Sequence, residues 1–318
     1  MVLVAASARS GTTLLGSLLD LHPEVTFAGE LNRRRAWGRS SAVCGCGRPF
    51  TECPCWAPVL GRPAFPDEPA AGDRWATVAE VDQLEARSRR PVALVRALVG
   101  RPAPEQRRYV AYLDQLCRDL AAQRGARVVV DTSKLNLVEL LLMRSSSGLD
   151  CRVVHLHRDP RGVVFSRLSG ARDRRSSGWD RHAKAVQLGW PLVLADALRW
   201  DRSNLLLRLL RRRLEPVTVL SYDRLVAESE PTVRALVAEL GLDPDPLSEA
   251  WIAPDLVELP DNHSMSGNRV RRRRGATPVV ADLRWRDGLS PAMAAVVQAL
   301  TAPVRRMLGG RSHPRPAG

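Results

Sequence analysis

The sequence has 318 residues, and its 48 basic and 34 acidic residues give a net charge of +14. A chain of this length can bury a large core, and because no apolar run is long enough to cross a bilayer, the sequence excludes a protein built on membrane-spanning helices. The positive charge favours an anionic ligand, and composition leaves nucleic acid, a membrane surface and a polyanionic small molecule open.

The first thirty residues predict a strand, a loop and a helix. Residues 2–6 form a short apolar run that contains two valines, which is typical of a buried strand. In residues 14–21 the number and spacing of the leucines are typical of a helix. Backbone N–H groups in the first turn of a helix are unpaired and lie at the positive end of the helix dipole. A loop between these two elements is therefore predicted to bind a phosphate.

The loop residues carry the groups that such a site needs. Gly11 lets the backbone close on an anion, and Arg9 adds a positive charge. Thr12 and Thr13 offer hydroxyl groups. The loop differs from the common nucleoside-triphosphate loop, because the lysine of the G-x-x-x-x-G-K-[ST] pattern does not precede Thr12. A solvated turn between a strand and a helix is the alternative for this loop on its own.

The segment Ser7-Ala-Arg-Ser-Gly-Thr-Thr-Leu-Leu15 resembles the 5′-phosphosulfate-binding loop of sulfotransferases, as found in the tyrosylprotein, carbohydrate and bacterial branches of that family. These enzymes use 3′-phosphoadenosine-5′-phosphosulfate (PAPS) as donor and release 3′-phosphoadenosine-5′-phosphate (PAP). The resemblance implies a P-loop-like, three-layer α/β/α fold with a central, mostly parallel sheet. It also implies that the 5′-phosphate is bound by Arg9, Ser10, Gly11, Thr12 and Thr13.

Two further polar residues follow predicted strands. Glu30 comes just after a strand at residues 25–28, and Lys134 follows a strand at residues 127–131. The carboxyl ends of strands are where open α/β sheets place their chemistry. The resemblance implies that Glu30 is the catalytic base and that Lys134, with Arg9, neutralises charge on the leaving group. A surface-loop glutamate and a solvated lysine remain the alternatives.

Four cysteines lie close together as two C-x-C pairs, Cys44 with Cys46 and Cys53 with Cys55. Four thiolates can close a tetrahedral zinc site, although C-x₂-C pairs with a longer spacer are the usual pattern. A structural zinc, a disulfide or redox-labile pair, and plain reduced thiols all remain open. Nothing in the pattern makes these cysteines catalytic.

The chain is expected to form one sulfotransferase domain over residues 1–310, followed by a disordered tail at residues 311–318. Residues 31–123 contain the cysteines and two helical stretches, 73–99 and 105–124, and are predicted to form a largely helical insertion or lid over the sheet edge.

A second anion-binding element is predicted in the middle of the chain. A strand at residues 151–157 leads to Arg158, Pro160 starts a helix, and Ser166 lies two turns along it. Both side chains can then reach one anion beside the helix start. The stretch matches the 3′-phosphate-binding pattern R-[DN]-P-[RK]-[DG]-x-x-x-S of sulfotransferases, which implies that Arg158 and Ser166 bind the 3′-phosphate.

The resemblance extends to the C-terminal third. Tyr222 lies in a strand and turn at residues 217–226 that resemble a nucleotide-site region of the family. The basic segment 262–275 is similar to the C-terminal nucleotide loop of bacterial sulfotransferases, and it could by itself also be a nucleic-acid patch. The residues of this segment that the resemblance assigns to the nucleotide are Gly267, Asn268, Arg269 and Arg271.

Together these motifs predict a bacterial, cytoplasmic sulfotransferase that moves a sulfuryl group in line from PAPS to a hydroxyl of a small-molecule, lipid or glycan acceptor. No catalytic metal and no nucleic-acid partner are expected, and the oligomeric state is left open. The alternatives are a P-loop kinase, for which the loop lysine is missing, and a non-catalytic polyanion-binding protein.

Overall fold

A parallel five-stranded sheet forms the centre of the molecule in the computed structural model. The structure describes residues 1–36, 42–65, 67, 72–88, 90–134, 137–175 and 189–309, so the tail predicted at residues 311–318 lies outside the described residues. The strand order is β2-β3-β1-β4-β5. The strands are β1 (Val2–Ala5), β2 (Val25–Gly29), β3 (Val128–Asp131), β4 (Arg152–His157) and β5 (Val217–Ser221).

Strands β1 to β4 are buried on both faces, as continuous valine-rich strands require, whereas the edge strand β5 is partly exposed. In β1, Val2 and Val4 pack into one hydrophobic cluster, whereas Leu3 and Ala5 pack into another on the opposite face. This alternation follows from the two-residue period of a strand. Helices therefore cover both faces, and the predicted α/β fold with a central parallel sheet is confirmed.

Thirteen α-helices are present among the described residues, and some differ from the prediction. They are α1 (Thr12–Leu19), α2 (Trp56–Leu60), α3 (Val78–Ser88), α4 (Pro91–Leu98), α5 (Pro104–Arg124), α6 (Leu137–Ser146), α7 (Pro160–Arg175), α8 (Gly189–Leu209), α9 (Arg211–Leu214), α10 (Tyr222–Ala227), α11 (Ser229–Glu239), α12 (Trp285–Gly288) and α13 (Pro291–Met307). The helical stretch predicted at 73–99 is split, because Pro91 cannot continue a helix and starts α4 instead. Helices α2 to α5 lie in the predicted insertion, whose role as a lid stays a prediction.

A second, smaller sheet was not predicted from the sequence. It is antiparallel and consists of β6 (Trp251–Ala253), β7 (Leu256–Leu259) and β8 (Gly275–Pro278). Strands of three or four residues are too short to show a recognisable alternation of apolar and polar residues in the sequence. Because Leu259 pairs with Gly275, the basic segment that follows β7 is the connection between two paired strands. We call residues 260–274 the β7–β8 connection.

The described part of the chain has no helix that is both long and apolar enough to cross a membrane.

Candidate active site

The loop between β1 and α1 has the backbone shape of an anion-binding loop. Arg9 and Gly11 have left-handed φ angles of 72° and 96°, which turn successive N–H groups toward one side. Gly11 is the N-cap of α1, and the Leu15 N–H donates the first helical bond to its carbonyl. The N–H groups of the preceding turn therefore have no acceptor within the helix.

The walls of this loop come from distant parts of the chain. The ring of Tyr222 covers Gly11 so closely that a Cβ at Gly11 would lie 2.5 Å from Tyr222 Cδ2. The hydroxyl of Thr13 accepts a hydrogen bond of 3.1 Å from the Asn268 N–H. A Cβ at Gly267 would lie 3.0 Å from the same hydroxyl oxygen. These contacts bring four of the predicted nucleotide residues and Tyr222 together around α1.

Arg9 joins the loop to the element after β4. Its Nε donates to the Ser166 hydroxyl at 2.9 Å, and the Arg158 guanidinium donates to the Arg9 carbonyl at 3.4 Å. Arg158 also lies against the face of Tyr222, with 4.3 Å between the guanidinium carbon and the ring centroid. The structure therefore places Arg9, Arg158, Ser166 and Tyr222 in one group, although the first two are 149 residues apart.

One carboxylate in this group was not predicted from the sequence. Arg158, which is only 7% exposed, lies 3.4 Å from the Asp282 carboxylate and donates to the Asp282 carbonyl at 2.8 Å. The hydrogen bond from Arg284, with the nearby charge of Arg158, lowers the pKa of Asp282 to about 2. The only sequence signal was the position of Asp282 just before Trp285, in a stretch without a strand or helix pattern.

Glu30 and Lys134 meet at the ends of β2 and β3, as their positions after neighbouring strands predicted. Lys134 Nζ donates to Glu30 Oε1, and the exposed Arg33 lies 3.3 Å from Glu30 Oε2. The side chains of Glu30 and Lys134 are 14% and 18% exposed. The pair is therefore partly accessible to solvent.

Asp131 holds the backbone around this pair in place, and no sequence pattern predicted this role. Its Oδ1 accepts hydrogen bonds from the Ser133 N–H at 2.7 Å, the Ser133 hydroxyl at 2.5 Å and the Leu31 N–H at 3.4 Å. Burial raises the pKa of Asp131 to about 6. Its Oδ2 is buried without a hydrogen-bond partner among the described residues, and burial without a partner disfavours the charged form.

The β7–β8 connection lies across the ends of β2 and α1. The Met265 N–H donates to the Ala28 carbonyl at 2.8 Å. The guanidinium of Arg271 donates to the carbonyls of Ser264 and Val43, both at 3.0 Å, so its described contacts hold the connection together. Arg269 starts a short 3₁₀ helix, and its side chain lies outside the described part of the structure. Nucleotide contacts by Arg269 and Arg271 stay predictions.

The cysteine segment does not form the group of four thiolates that was one of its three predicted alternatives. The sulfurs of Cys44, Cys46 and Cys53 group with the ring of His263, and Cys55 is not part of the group. Cys55 has helical backbone angles at the start of α2, and residues two positions apart in a helical turn face different directions. Its side chain is buried in the core instead. His263 was not predicted as a partner, because it is 210 residues away from Cys53.

The parallel sheet, with a strand, an anion-binding loop and a helix at its central strand β1, defines a P-loop-like α/β protein. A sequence model described as the sulfotransferase family matches residues 60–246, which is more than half of the chain. The chain belongs to the sulfotransferase family and is a sulfuryl-transferring enzyme. The matched stretch contains Lys134, Arg158 and Ser166, whereas the loop at Arg9 and Glu30 lie before it.

The sequence identity to individual relatives is low. The chain is 27% identical to human carbohydrate sulfotransferase 6, over 98% of this chain and 80% of the relative. Its structure is similar to the sulfotransferase domain from the curacin biosynthetic pathway, with a TM-score of 0.48, 16% identity and coverage of 99% and 98% of the two chains. It is also similar to a sulfotransferase from Alicyclobacillus acidocaldarius, with a TM-score of 0.45, 17% identity and coverage of 99% and 96%.

Proposed function

We propose that this sulfotransferase takes its sulfuryl group from PAPS, releases PAP, and passes the group to a hydroxyl of a small-molecule, lipid or glycan acceptor. The observation that carries this proposal is the link made by Arg9. Its backbone belongs to the loop at β1, and its side chain reaches Ser166 in α7. The two elements that the sequence assigns to the 5′- and 3′-phosphates are thus neighbours, as one nucleotide with both phosphates needs.

The groups around the loop are suited to a phosphate. The start of α1 offers backbone N–H groups, and the guanidinium groups of Arg9 and Arg158 offer fixed positive charge. The Tyr222 ring packs on Arg158 and limits its freedom. In this proposal Arg158 exchanges its contact with Asp282 for the 3′-phosphate, because a phosphate dianion attracts a guanidinium more strongly than one carboxylate does.

On the other side of the site, Glu30 removes the proton from the acceptor hydroxyl. Its carboxylate has room for that hydrogen bond, because a carboxylate accepts about four and Glu30 receives one at each oxygen from Lys134 and Arg33. Lys134 holds Glu30 in position and brings positive charge to the place where charge develops. PAPS, when bound, supplies the sulfuryl group and the nucleotide leaving group.

The proposal uses no catalytic metal. A sulfuryl group carries less negative charge than a phosphoryl group, so fixed cations at Arg9, Arg158 and Lys134 are sufficient to balance it. The likeness to a carbohydrate sulfotransferase makes sugar hydroxyls the first acceptors to try. Nucleotide binding, a cytoplasmic location and a bacterial origin are part of the same proposal.

Calorimetric titration with PAP, ADP and ATP plus magnesium tests the donor site. We expect tight binding of PAP without metal and weaker binding of ADP, which lacks the 3′-phosphate. Arg158→Ala should weaken PAP binding about 10- to 100-fold, as expected for a lost charged hydrogen bond, and should leave ADP binding nearly unchanged. Arg152→Ala is the matched control, because Arg152 lies on the same strand and is exposed at its other end.

Binding of ATP with magnesium alone would contradict the proposal and favour a phosphoryl-transfer enzyme. Equal PAP affinity of wild type and Arg158→Ala would place the 3′-phosphate elsewhere.

A further inference from the structure

Three thiols and one imidazole converge where the cysteine segment meets the β7–β8 connection. The ligand atoms of Cys44, Cys46, Cys53 and His263 all lie within 4.8 Å of one another. Cys44 and Cys53 are buried, whereas Cys46 and His263 are half-buried. None of these side chains takes part in the proposed sulfuryl transfer, so the group needs a separate explanation.

Four of the six distances between these ligand atoms are close to the edges of a metal-centred tetrahedron. With Zn–S bonds of about 2.3 Å and Zn–N bonds of about 2.0–2.1 Å, tetrahedral geometry gives S···S edges of about 3.8 Å and S···N edges of about 3.6 Å. Cys53 Sγ lies 3.5 Å from Cys44 Sγ and 3.8 Å from Cys46 Sγ. His263 Nδ1 lies 3.3 Å from Cys53 Sγ and 3.8 Å from Cys44 Sγ.

A disulfide explains this arrangement less well. A disulfide joins two sulfurs at about 2.05 Å, whereas Cys53 Sγ is at nearly equal distances from two sulfurs and close to an imidazole nitrogen. All three cysteines are free thiols in the structure. A convergence of three sulfurs and one nitrogen on one point is what a single ion requires and what a pair of cysteines does not.

The surroundings also suit a closed, negatively charged centre. The Trp56 N–H lies 3.5 Å from Cys53 Sγ, and the Trp56 indole N–H donates to the His263 carbonyl at 2.5 Å. Three thiolates and a divalent ion carry a net charge of −1. The Arg271 guanidinium, bound to the carbonyls of the residues beside Cys44 and His263, supplies a positive charge nearby.

We propose that Cys44, Cys46, Cys53 and His263 bind one structural Zn²⁺ ion. Soft thiolates with an imidazole in a tetrahedral arrangement favour zinc among the common divalent ions. Four protein ligands leave no open position, so the site has no catalytic role of its own.

The zinc ion ties the β7–β8 connection to the cysteine segment. His263 is two residues before Met265, which is bonded to the end of β2, and five before Asn268, which is bonded to Thr13. Loss of the ion should therefore loosen the wall of the nucleotide site. This effect on the nucleotide site rests on the proposed function, whereas the proposal of zinc binding does not.

Metal analysis of the untagged protein, purified without chelators, tests the zinc site directly. We expect about one zinc per chain in the wild type, as for one four-ligand site, and loss of that zinc in Cys44→Ser and His263→Ala. Cys55→Ser is the matched control from the same segment, and Cys117→Ser is a control in the main core. Both controls should keep their zinc.

Cobalt substitution of the wild-type protein gives a test that needs no variant. Tetrahedral Co²⁺ with three thiolates shows intense visible bands and a thiolate-to-cobalt charge-transfer band in the near ultraviolet. Weak bands of octahedral cobalt would overturn the proposal. So would wild-type protein that contains no zinc, contains iron or copper instead, or yields a peptide with a disulfide between these cysteines.

Calorimetry with PAP before and after zinc removal tests the effect on the connection. We expect weaker PAP binding in the chelated protein, restored by added zinc. Unchanged PAP affinity after verified zinc loss would overturn the role in the nucleotide site and leave the metal site standing. Failure of the zinc-loaded protein to bind PAP would instead contradict the proposed function.

Discussion

The carboxyl edge of the parallel sheet has two sides with different chemistry. On the side of β1 and β4, which we call the cationic side, the guanidinium groups of Arg9 and Arg158 lie around the loop beside Ser166. On the side of β2 and β3, which we call the carboxylate side, Glu30 is paired with Lys134. Under the proposed function, anion binding and proton transfer therefore belong to different strand pairs. The two sides meet because β1 and β3 are neighbours.

The largest expected effect comes from Glu30→Gln, which breaks the carboxylate side and leaves the cationic side intact. Glutamine keeps the size of the side chain but cannot take a proton from the acceptor. We expect kcat to fall about 10²- to 10⁴-fold, the range for a lost general base, with PAP affinity unchanged. PAP release and calorimetry measure the two quantities.

Glu24→Gln is the matched control, because Glu24 comes just before β2 and pairs at the surface with Arg127. It should change neither quantity. Loss of PAP binding in Glu30→Gln would mean that Glu30 supports the fold of the site and is not the base.

A smaller loss is expected from Lys134→Met, which keeps most of the length of the side chain and removes its charge. We expect kcat to fall about 100-fold, as for a lost group that stabilises developing charge, with a smaller change in PAP affinity. Lys134→Arg should restore only part of the rate, because a planar guanidinium does not replace a compact ammonium. A loss of PAP affinity with kcat unchanged would mean that Lys134 binds the nucleotide, like the residues of the cationic side, and does not act in the chemical step.

The positions of these residues could be predicted because each motif directly follows a strand. Parallel strands bring their carboxyl ends to one edge of the sheet, so the sequence pattern alone places Glu30 and Lys134 at the same edge. The link from Arg9 to Ser166 could not be predicted, because it depends on β1 and β4 being neighbours. Asp282 was missed for a similar reason, since no local pattern marks its loop.

Gly11→Ala tests the fit of the cationic side. Alanine at a φ of 96° is strained, and its Cβ would overlap the ring of Tyr222. We expect a loss of about 3 kcal/mol in the free energy of unfolding, from backbone strain and ring displacement together, with weaker PAP binding. Urea unfolding and calorimetry measure both.

Gly125→Ala is the control, because Gly125 has a φ of 62° and open space where the Cβ would lie. It should cost only about 1 kcal/mol, the strain of the left-handed backbone. Equal losses in the two variants would show that Tyr222 does not constrain the loop.

The smallest expected effect is a pH dependence on the carboxylate side. Burial raises the pKa of Asp131 from 3.8 to about 6 in the folded chain, so between these values the folded chain keeps a proton that the unfolded chain has released. The stability that this proton contributes is complete below pH 4 and is lost as the pH rises through 6. Relative to Asp131→Asn, the wild type should lose about 1 kcal/mol of unfolding free energy between pH 5 and pH 8.

Urea unfolding of both proteins at the two pH values measures this difference. Asparagine is a suitable comparison, because its side-chain oxygen can accept the hydrogen bonds from Ser133 and Leu31 and it does not titrate. A difference that is constant with pH would mean that Asp131 titrates in the folded chain as it does in the unfolded one.

The composition of the cysteine cluster could not be predicted from the sequence. The sequence places four thiols close together along the chain and leaves a four-cysteine zinc site, a disulfide and reduced thiols open. The start of α2 turns Cys55 into the core, whereas a histidine from the β7–β8 connection takes the fourth place. The contact between His263 and Cys53, which are 210 residues apart, depends on the second sheet. The strands of that sheet are too short for their sequence pattern to predict them.

A crystal structure of the protein with PAP is the sharpest test of the division of the sheet edge. We expect the 5′-phosphate on the backbone N–H groups at the start of α1 and the 3′-phosphate on Arg158 and Ser166, with the Glu30 carboxylate free of the nucleotide. A nucleotide bound through the ends of β2 and β3, or a phosphate in contact with Glu30, would contradict this division.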